Sequence, residues 1–524
     1  MKAKPDPKVA EIRRRIDHPI VDADAHQLET VPVLLDYIRE VGGAAMPERF
    51  LAFLRHQRRT FEMTWEERYD ARTSMPVWWP IPTENTLDRA TTQLPRLMYD
   101  RMDELGLDFS IVYPGIGLQI VTLPGLADDE LRQVCTRAFN RYYAEMFRGF
   151  SDRLTPVGLV TMNTPQEACD TLEDAVRCGL KAVVIAGDVL RPVPQVAREH
   201  PELAHLVWYQ DCFGIDSPYD YDPFWAKCVE LGVAPTSHSG PIGWGTRRSV
   251  SRHQYNQLGG FAEGGEALLK ALWFGGVTRR FPTLNVGFLE GGVAWAASTY
   301  TRMIDHWSKR NAEAIRSLDP ARLDQALFAK LIDEYGHEKI RAYRDPLVEN
   351  SLWAPAPDQL DDWRDCQVKT AEELAELFVP RFYFGCEGDD RMNALAFDTK
   401  LNPFGARLRA MIGSDIGHFD VVDMREVVEE SWELVEDGLV TEADFSDIAF
   451  QKAVRVHGGM NWRFLEGTAV DARASIGTGV SPRCGRSLTD GSGSQYISTE
   501  WRVGFRSLIH WISGALFTVL QRTY

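Results

Sequence analysis

Asp22, Asp24 and His26 stand at alternate positions in the run PIVDADAH. An extended strand repeats every two residues, so all three side chains fall on one face. Buried together, ionisable groups cost on the order of several kcal/mol each unless a cation or hydrogen bonds compensate. A D-x-H pair at the C-terminal end of a strand reaches one metal ion from adjacent same-side positions. The alternative is a satisfied hydrogen-bond network in the core. His238 ends the run VAPTSH and Asp415 ends AMIGSD. Asp24, His26, His238 and Asp415 then offer oxygen and nitrogen ligands suited to one divalent ion, zinc first, with manganese or iron as alternatives. His418 and Asp420 follow Asp415, either to touch substrate or Glu290 or to cap their loop. Trp244, Arg247, Arg248 and His253 follow His238. An arginine there clamps a substrate carboxylate bidentately or is simply solvated. The pair Trp78 and Trp79 reads as loop packing rather than a stacking platform.

Eight β-branched or apolar runs are available to position these groups: Pro19–His26, Phe109–Tyr113, Leu154–Val160, Leu180–Ala186, Val233–His238, Leu284–Glu290, Phe382–Gly385 and Ala410–Asp415. Amphipathic helices are predicted between them, over Asp128–Phe147, Pro165–Cys178 and Pro223–Leu231. Such alternation predicts βα units and a parallel sheet. Eight units predict an α/β fold of TIM-like (β/α)8 barrel type, with chemistry at the C-terminal ends of the strands. Two stretches exceed a minimal barrel, 41–98 after the first strand and 305–380 after the sixth. Both are read as helical cap insertions over the mouth, with peripheral packing as the alternative. From Gly467 the composition shifts to Gly and Ser, and 467–524 is expected to be an atypical tail with no assigned function.

Taken in order, these pieces resemble the amidohydrolase-related, metal-dependent (β/α)8 barrels of the amino-carboxymuconate-semialdehyde decarboxylase type. The resemblance rests on VDADAH, MDELGLD, RLTPVGLVTMNTP, DPFWAKCVELGVAPTSHSG, FPTLNVGFLEGGVAW and IGSDIGHFD, and spans about residues 18–465. It implies a barrel of the metal-dependent hydrolase type with one ion held by Asp24, His26, His238 and Asp415. Ala186 or Gly187 occupies the fourth-strand position where binuclear relatives carry a bridging lysine, and Lys181 sits at the other end of that strand. One ion is therefore expected rather than two. Glu290, in FLEGG, stands where the family often has a sixth-strand histidine. A glutamate there transfers a proton or orients a ligand. The implied activity is decarboxylation of an aromatic or unsaturated small carboxylic acid, with Asp415, Glu290 and His418 as catalytic residues. Hydrolysis of an amide, ester or carbon–carbon bond is the alternative, and a non-catalytic barrel scaffold is a third class.

The 524 residues include 58 Lys and Arg against 75 Asp and Glu, a net charge of −17. That balance argues against general binding to nucleic acid or anionic lipid, and a small-molecule partner is expected. A homo-oligomer is left open. Hydrophobic residues at 44% and charged residues at 25% exclude disorder as the dominant state. The 8 cysteines form no C-x-x-C pair and read as reduced thiols of a cytoplasmic protein. The N-terminal stretch is charged and lacks the apolar core of a secretory signal. The apolar run Leu508–Leu520 contains His510 and is shorter than the ~20 residues a spanning helix needs.

Overall fold

The computed structural model describes residues 6–77, 84–122, 128–240, 243–349 and 360–473. Its eight long-range strands are Val21–His26 (β1), Phe109–Tyr113 (β2), Leu154–Leu159 (β3), Ala182–Ile185 (β4), Pro235–Ser237 (β5), Val286–Phe288 (β6), Phe382–Glu387 (β7) and Arg409–Gly413 (β8). They pair in chain order as one parallel sheet. Helices cover the outer face while side chains fill the interior, so the strands are buried on both faces. This is why they read as nearly continuous apolar runs. Each of the eight expected runs overlaps one strand.

The two sheet edges meet. Asp415 N–H donates to the Asp24 carbonyl and His26 N–H to the Ile416 carbonyl, both at 2.9 Å. Below them, the Asp22 carboxylate accepts from the Ser414 N–H (2.9 Å) and hydroxyl (2.6 Å) and from the Asp24 N–H (3.2 Å). Asp22 is thus a rivet across the β8–β1 seam. Gly413 permits this approach, because a Cβ there would lie 2.6 Å from the Asp24 Cβ.

The predicted helices form with sequence-readable ends. Asp128 caps Asp129–Met146 by accepting from the Leu131 N–H, and Thr164 caps Pro165–Arg177 through the Glu167 N–H. Asp222–Leu231 ends at Gly232 in the left-handed conformation, φ 65°. An antiparallel ribbon, Val189–Pro192 with Trp208–Asp211, adds to the β4 end and was not expected. At the base, Asn285 donates to the carbonyls of Arg455 and Val456, and Lys181 donates to the Phe464 carbonyl. Lys181 is therefore at the end away from the mouth, where burial lowers it to about 8.

Two backbone contacts tie the first extra stretch to segments that follow strand ends. Met75 N–H donates to the Ser249 carbonyl (2.9 Å), and Leu28, just past β1, donates to the Thr92 carbonyl (2.8 Å). The described part of 305–380 corrects the other expectation. Trp363 packs on Trp273 and Phe274 and donates to the Arg310 carbonyl, while Arg279 donates to the Cys366 carbonyl. These anchors lie at the base. The reason is chain direction: helix Ala294–Arg310 descends from the β6 end before the excursion begins. Beyond Gly467, Val470 is buried and Ala469 donates to the Asp152 carbonyl, so packing continues there. Residues 474–524, with Cys484, and the pair Trp78 and Trp79 lie outside the described residues. The seven described cysteines are free. No described helix is long and apolar enough to cross a membrane.

The seam is testable at Gly413. Gly413→Ala pushes a methyl group into Asp24 and is expected to cost about 1–3 kcal/mol. Urea unfolding should show a lower midpoint at unchanged slope. A wild-type midpoint would show that the seam has slack.

Candidate metal centre and catalytic cluster

Four strand ends converge at the mouth. From β1, His26 Nε2 lies 3.5 Å from Asp24 Oδ1 and 3.2 Å from Asp415 Oδ1, beyond β8. One residue past β5, His238 Nε2 lies 3.3 Å from Oε2 of Glu290, which follows β6. His418 Nδ1 lies between two carboxylates, 2.6 Å from Asp415 Oδ1 and 3.2 Å from Glu290 Oε1. The His26 ring stacks on His418 at 3.9 Å and meets His238 edge-on at 5.4 Å. His418 alone opens toward the mouth, its side chain 28% exposed against 1% for His26.

The expected ligand set is brought together as two overlapping groups. Asp24, His26 and His238 form one, and His26, Glu290, Asp415 and His418 the other; in each, one atom per residue lies within 4.8 Å of the rest. His26 is common to both. Asp22, expected on the same face as Asp24, faces the seam instead.

The electrostatics of the cluster call for positive charge. Burial, then the charge on His418, pushes His26 down to about 3, and burial lowers His238. Burial thus disfavours the charged form of both imidazoles. His238 Nδ1 donates to the Ser239 carbonyl (2.7 Å), which leaves the Nε2 lone pair facing Glu290. Burial, followed by the charges of Glu290, Asp415 and Asp22, raises Asp24 well above the carboxylate range. Burial opposes charge on His418, but Asp415 and Glu290 outweigh it and raise its pKa well above the histidine range. Both Asp24 oxygens, Nε2 of His26 and His238, and Oε2 of Glu290 are buried without a hydrogen-bond partner among the described residues. Facing lone pairs without donors are costly, and a cation satisfies them together. The residues present therefore fit a divalent ion.

Backbone strain marks the same residues. Glu290 (φ 55°) and Asp415 (φ 51°) are both left-handed, a conformation that costs an L-residue roughly 1–2 kcal/mol. Such strain concentrates at functional sites. His238 lies one residue past Ser237 without such strain, whereas the left-handed turn accounts for Glu290 and Asp415 lying beyond Phe288 and Gly413 rather than inside strands. At those two positions the chain leaves its ladder to aim a carboxylate inward.

Sequence reasoning passed over several groups here. Tyr113, the last residue of β2, places its ring 6.1 Å from His26 and 6.2 Å from His238, and its hydroxyl donates to Thr236 Oγ1. Phe261 meets His238 edge-on at 5.7 Å. Glu387 joins Asp415 and Asp420 at the rim because β7 runs two residues past its expected end. The signal for Tyr113 and Glu387 was available, as strand-end residues of a barrel, whereas Phe261 lies on the helix Gly260–Phe274 and carried none. Among the residues after His238, Trp244 and Arg247 form a tight bridge, and His253 packs on Phe419 at 6.0 Å.

Protein isolated without chelator is expected to carry about one equivalent of divalent ion, measured by elemental analysis. His26→Ala and His238→Ala should each cut occupancy at least ~10-fold, since each removes one of few ligands. Unchanged occupancy in both variants would contradict the cluster.

The family model described as Amidohydrolase matches residues 21–341, more than half of the chain. Among solved structures, the chain is similar to a dihydroxybenzoic acid decarboxylase from Polaromonas sp. JS666 with bound manganese and the inhibitor 2-nitroresorcinol (14% identity, 86% of this chain and 99% of that chain, TM-score 0.49). It is also similar to the apo form of Metarhizium anisopliae IDCase (12%, 86% and 99%, 0.47). A third similar structure is an amidohydrolase from Mycobacterium avium subsp. paratuberculosis K-10 (17%, 71% and 76%, 0.44). No curated protein matches the chain. The family match begins at the first residue of β1 and runs through β6, across the strand ends that carry Asp24, His26, His238 and Glu290, and the chain belongs to the amidohydrolase family of enzymes.

Proposed function

We propose that the enzyme is a decarboxylase of the amino-carboxymuconate-semialdehyde decarboxylase type, acting on an aromatic or unsaturated small carboxylic acid. The observation that carries this reading is the placement of His418. Its Nδ1 sits between Asp415 and Glu290, and it is the member of the cluster open to the mouth. A proton held there lies at the edge of the ligand cluster, where a substrate carbon would need it.

Asp24, His26, His238 and Asp415 would hold one divalent ion, zinc, manganese or iron, which when bound supplies Lewis acidity for the electron pair left as carbon dioxide departs. The chain supplies the rest. His418 and Glu290 hold the proton and deliver it to the substrate carbon, whose bond to the carboxylate carbon breaks and leaves it the electron pair. Asp415 orients His418 through the 2.6 Å contact. Tyr113 and Phe261 flank His238 and exclude water from the inner side.

Protein loaded with metal should release carbon dioxide from members of a panel of aromatic and muconate-type acids. Glu290→Gln is expected to keep its fold and metal content and to lower turnover by ~100-fold or more. Turnover within a few-fold of wild type would leave Glu290 a structural residue. Cleavage of esters or amides with no carbon dioxide released from any acid would replace this reading with hydrolysis, in which Asp415 serves as base.

A further inference from the structure

The base of the barrel collects cations that the chemistry at the mouth does not use. Arg381 stands immediately before β7 and Arg409 opens β8, and the parallel register sets Arg409 beside Tyr383. Arg409 donates to the Tyr383 hydroxyl, and its guanidinium carbon lies 4.8 Å from the centre of that ring. Arg381 donates to the Asn285 amide oxygen at 3.4 Å, a long bond to a neutral acceptor. The helix Lys452–Gly458 packs against these strand ends, held by Asn285 through the carbonyls of Arg455 (3.2 Å) and Val456 (3.1 Å). Its Lys452 is buried and pairs with Asp447 at 3.0 Å, a carboxylate that Arg407 shares at 3.2 Å.

These cations act on one another. Burial raises Tyr383, and the charges of Arg409, Arg455 and Arg381 all oppose that shift. Burial lowers Arg381, with Tyr383 opposing and Arg409 adding to the effect. Burial also lowers Lys452; Asp447 resists, while Arg455 and Arg409 push the same way as burial. Three guanidiniums and an ammonium thus share one neighbourhood beside the Tyr383 hydroxyl, in a chain whose net charge is −17. Arg381, Arg409 and Arg455 are half-buried. Arg381 and Arg409 form no ion pair among the described residues, and their partners are neutral groups. Like charges drawn together out of water are costly unless an anion answers them. The planar fork of arginine matches phosphate oxygens. A phosphate group also presents oxygens in several directions, toward donors arriving from β7, β8 and the helix, as a planar carboxylate does not.

We propose that the N-terminal ends of β7 and β8, with the helix Lys452–Gly458, form a phosphate-binding site at the base of the barrel. Arg381 and Arg409 hold the anion, and Arg455 adds its charge to the field. Bound phosphate ties the C-terminal helix to the barrel floor and stabilises the fold from the end opposite the His26–His238 cluster.

The test is calorimetric titration and thermal unfolding of the full chain with inorganic phosphate and with phenyl phosphate, against chloride at matched ionic strength. Wild type should bind phosphate, and its Tm should rise with phosphate concentration more than with chloride. Binding should persist after chelation, which removes any phosphate held by an ion at the mouth. Arg381→Met and Arg409→Met should each weaken it ~10-fold or more, the scale of one charge-assisted contact. In chloride alone Arg381→Met should be at least as stable as wild type, because it removes an unanswered cation. Tighter binding of the inorganic ion makes the free anion the occupant, and tighter binding of phenyl phosphate makes it a phosphate ester. No phosphate binding, binding abolished by chelation, or equal affinity in wild type and Arg381→Met overturns the site. A Tm lowered by Arg381→Met as much in chloride as in phosphate would also overturn it, as the arginine would then be structural.

Discussion

Asp24, Glu290 and Asp415 are buried against the imidazoles of His26 and His238, whose charged forms burial disfavours, and the rest of the site depends on how that arrangement is tolerated. Among the described residues the cluster has one cationic partner, His418, and it touches Asp415 and Glu290 rather than Asp24. Asp24 keeps both oxygens unpartnered. Left alone it is driven toward the neutral acid by burial and by its neighbours' charge. A divalent ion held by residues of β1, β5 and β8 would remove that conflict. Without positive charge the cluster works against the fold.

The same residues close the barrel. Asp24 and His26 lend their backbones to the β8–β1 seam, accepting from Asp415 N–H and donating to the Ile416 carbonyl, while their side chains face the mouth. Asp22 and Gly413 hold that seam at short range. The price of the geometry is borne by the left-handed backbone of Glu290 and Asp415. Stability and ligand placement are therefore coupled: whatever spreads the seam also spreads Asp24 from Asp415.

The fold was legible because buried parallel strands write themselves as short apolar runs, and capped helices such as Asp129–Met146 carry their N-cap in the sequence. The cluster was legible through the alternation of Asp22, Asp24 and His26 and through strand-end His238 and Asp415. The division of labour within it was not. Alternation assigns Asp22 to the same face as Asp24 but says nothing of Ser414, which takes it away. Left-handed Glu290 and Asp415 leave no sequence mark, since neither is glycine. The 305–380 excursion was assigned to the mouth because chain order alone does not reveal that a full helix first carries it to the base. Arg247 and Arg248 are indistinguishable in sequence; only the Trp208–Asp211 strand, which no run announced, separates them by placing Trp208 against the Arg248 guanidinium.

X-ray absorption at the edge of the bound metal tests the central claim most directly, because it reads the donor atoms themselves. An ion held by these residues gives a mixed nitrogen and oxygen shell, with imidazole scattering from His26 and His238 that weakens when His238 is replaced by alanine. A shell of oxygen alone, unchanged by that replacement, would place the ion elsewhere and contradict it.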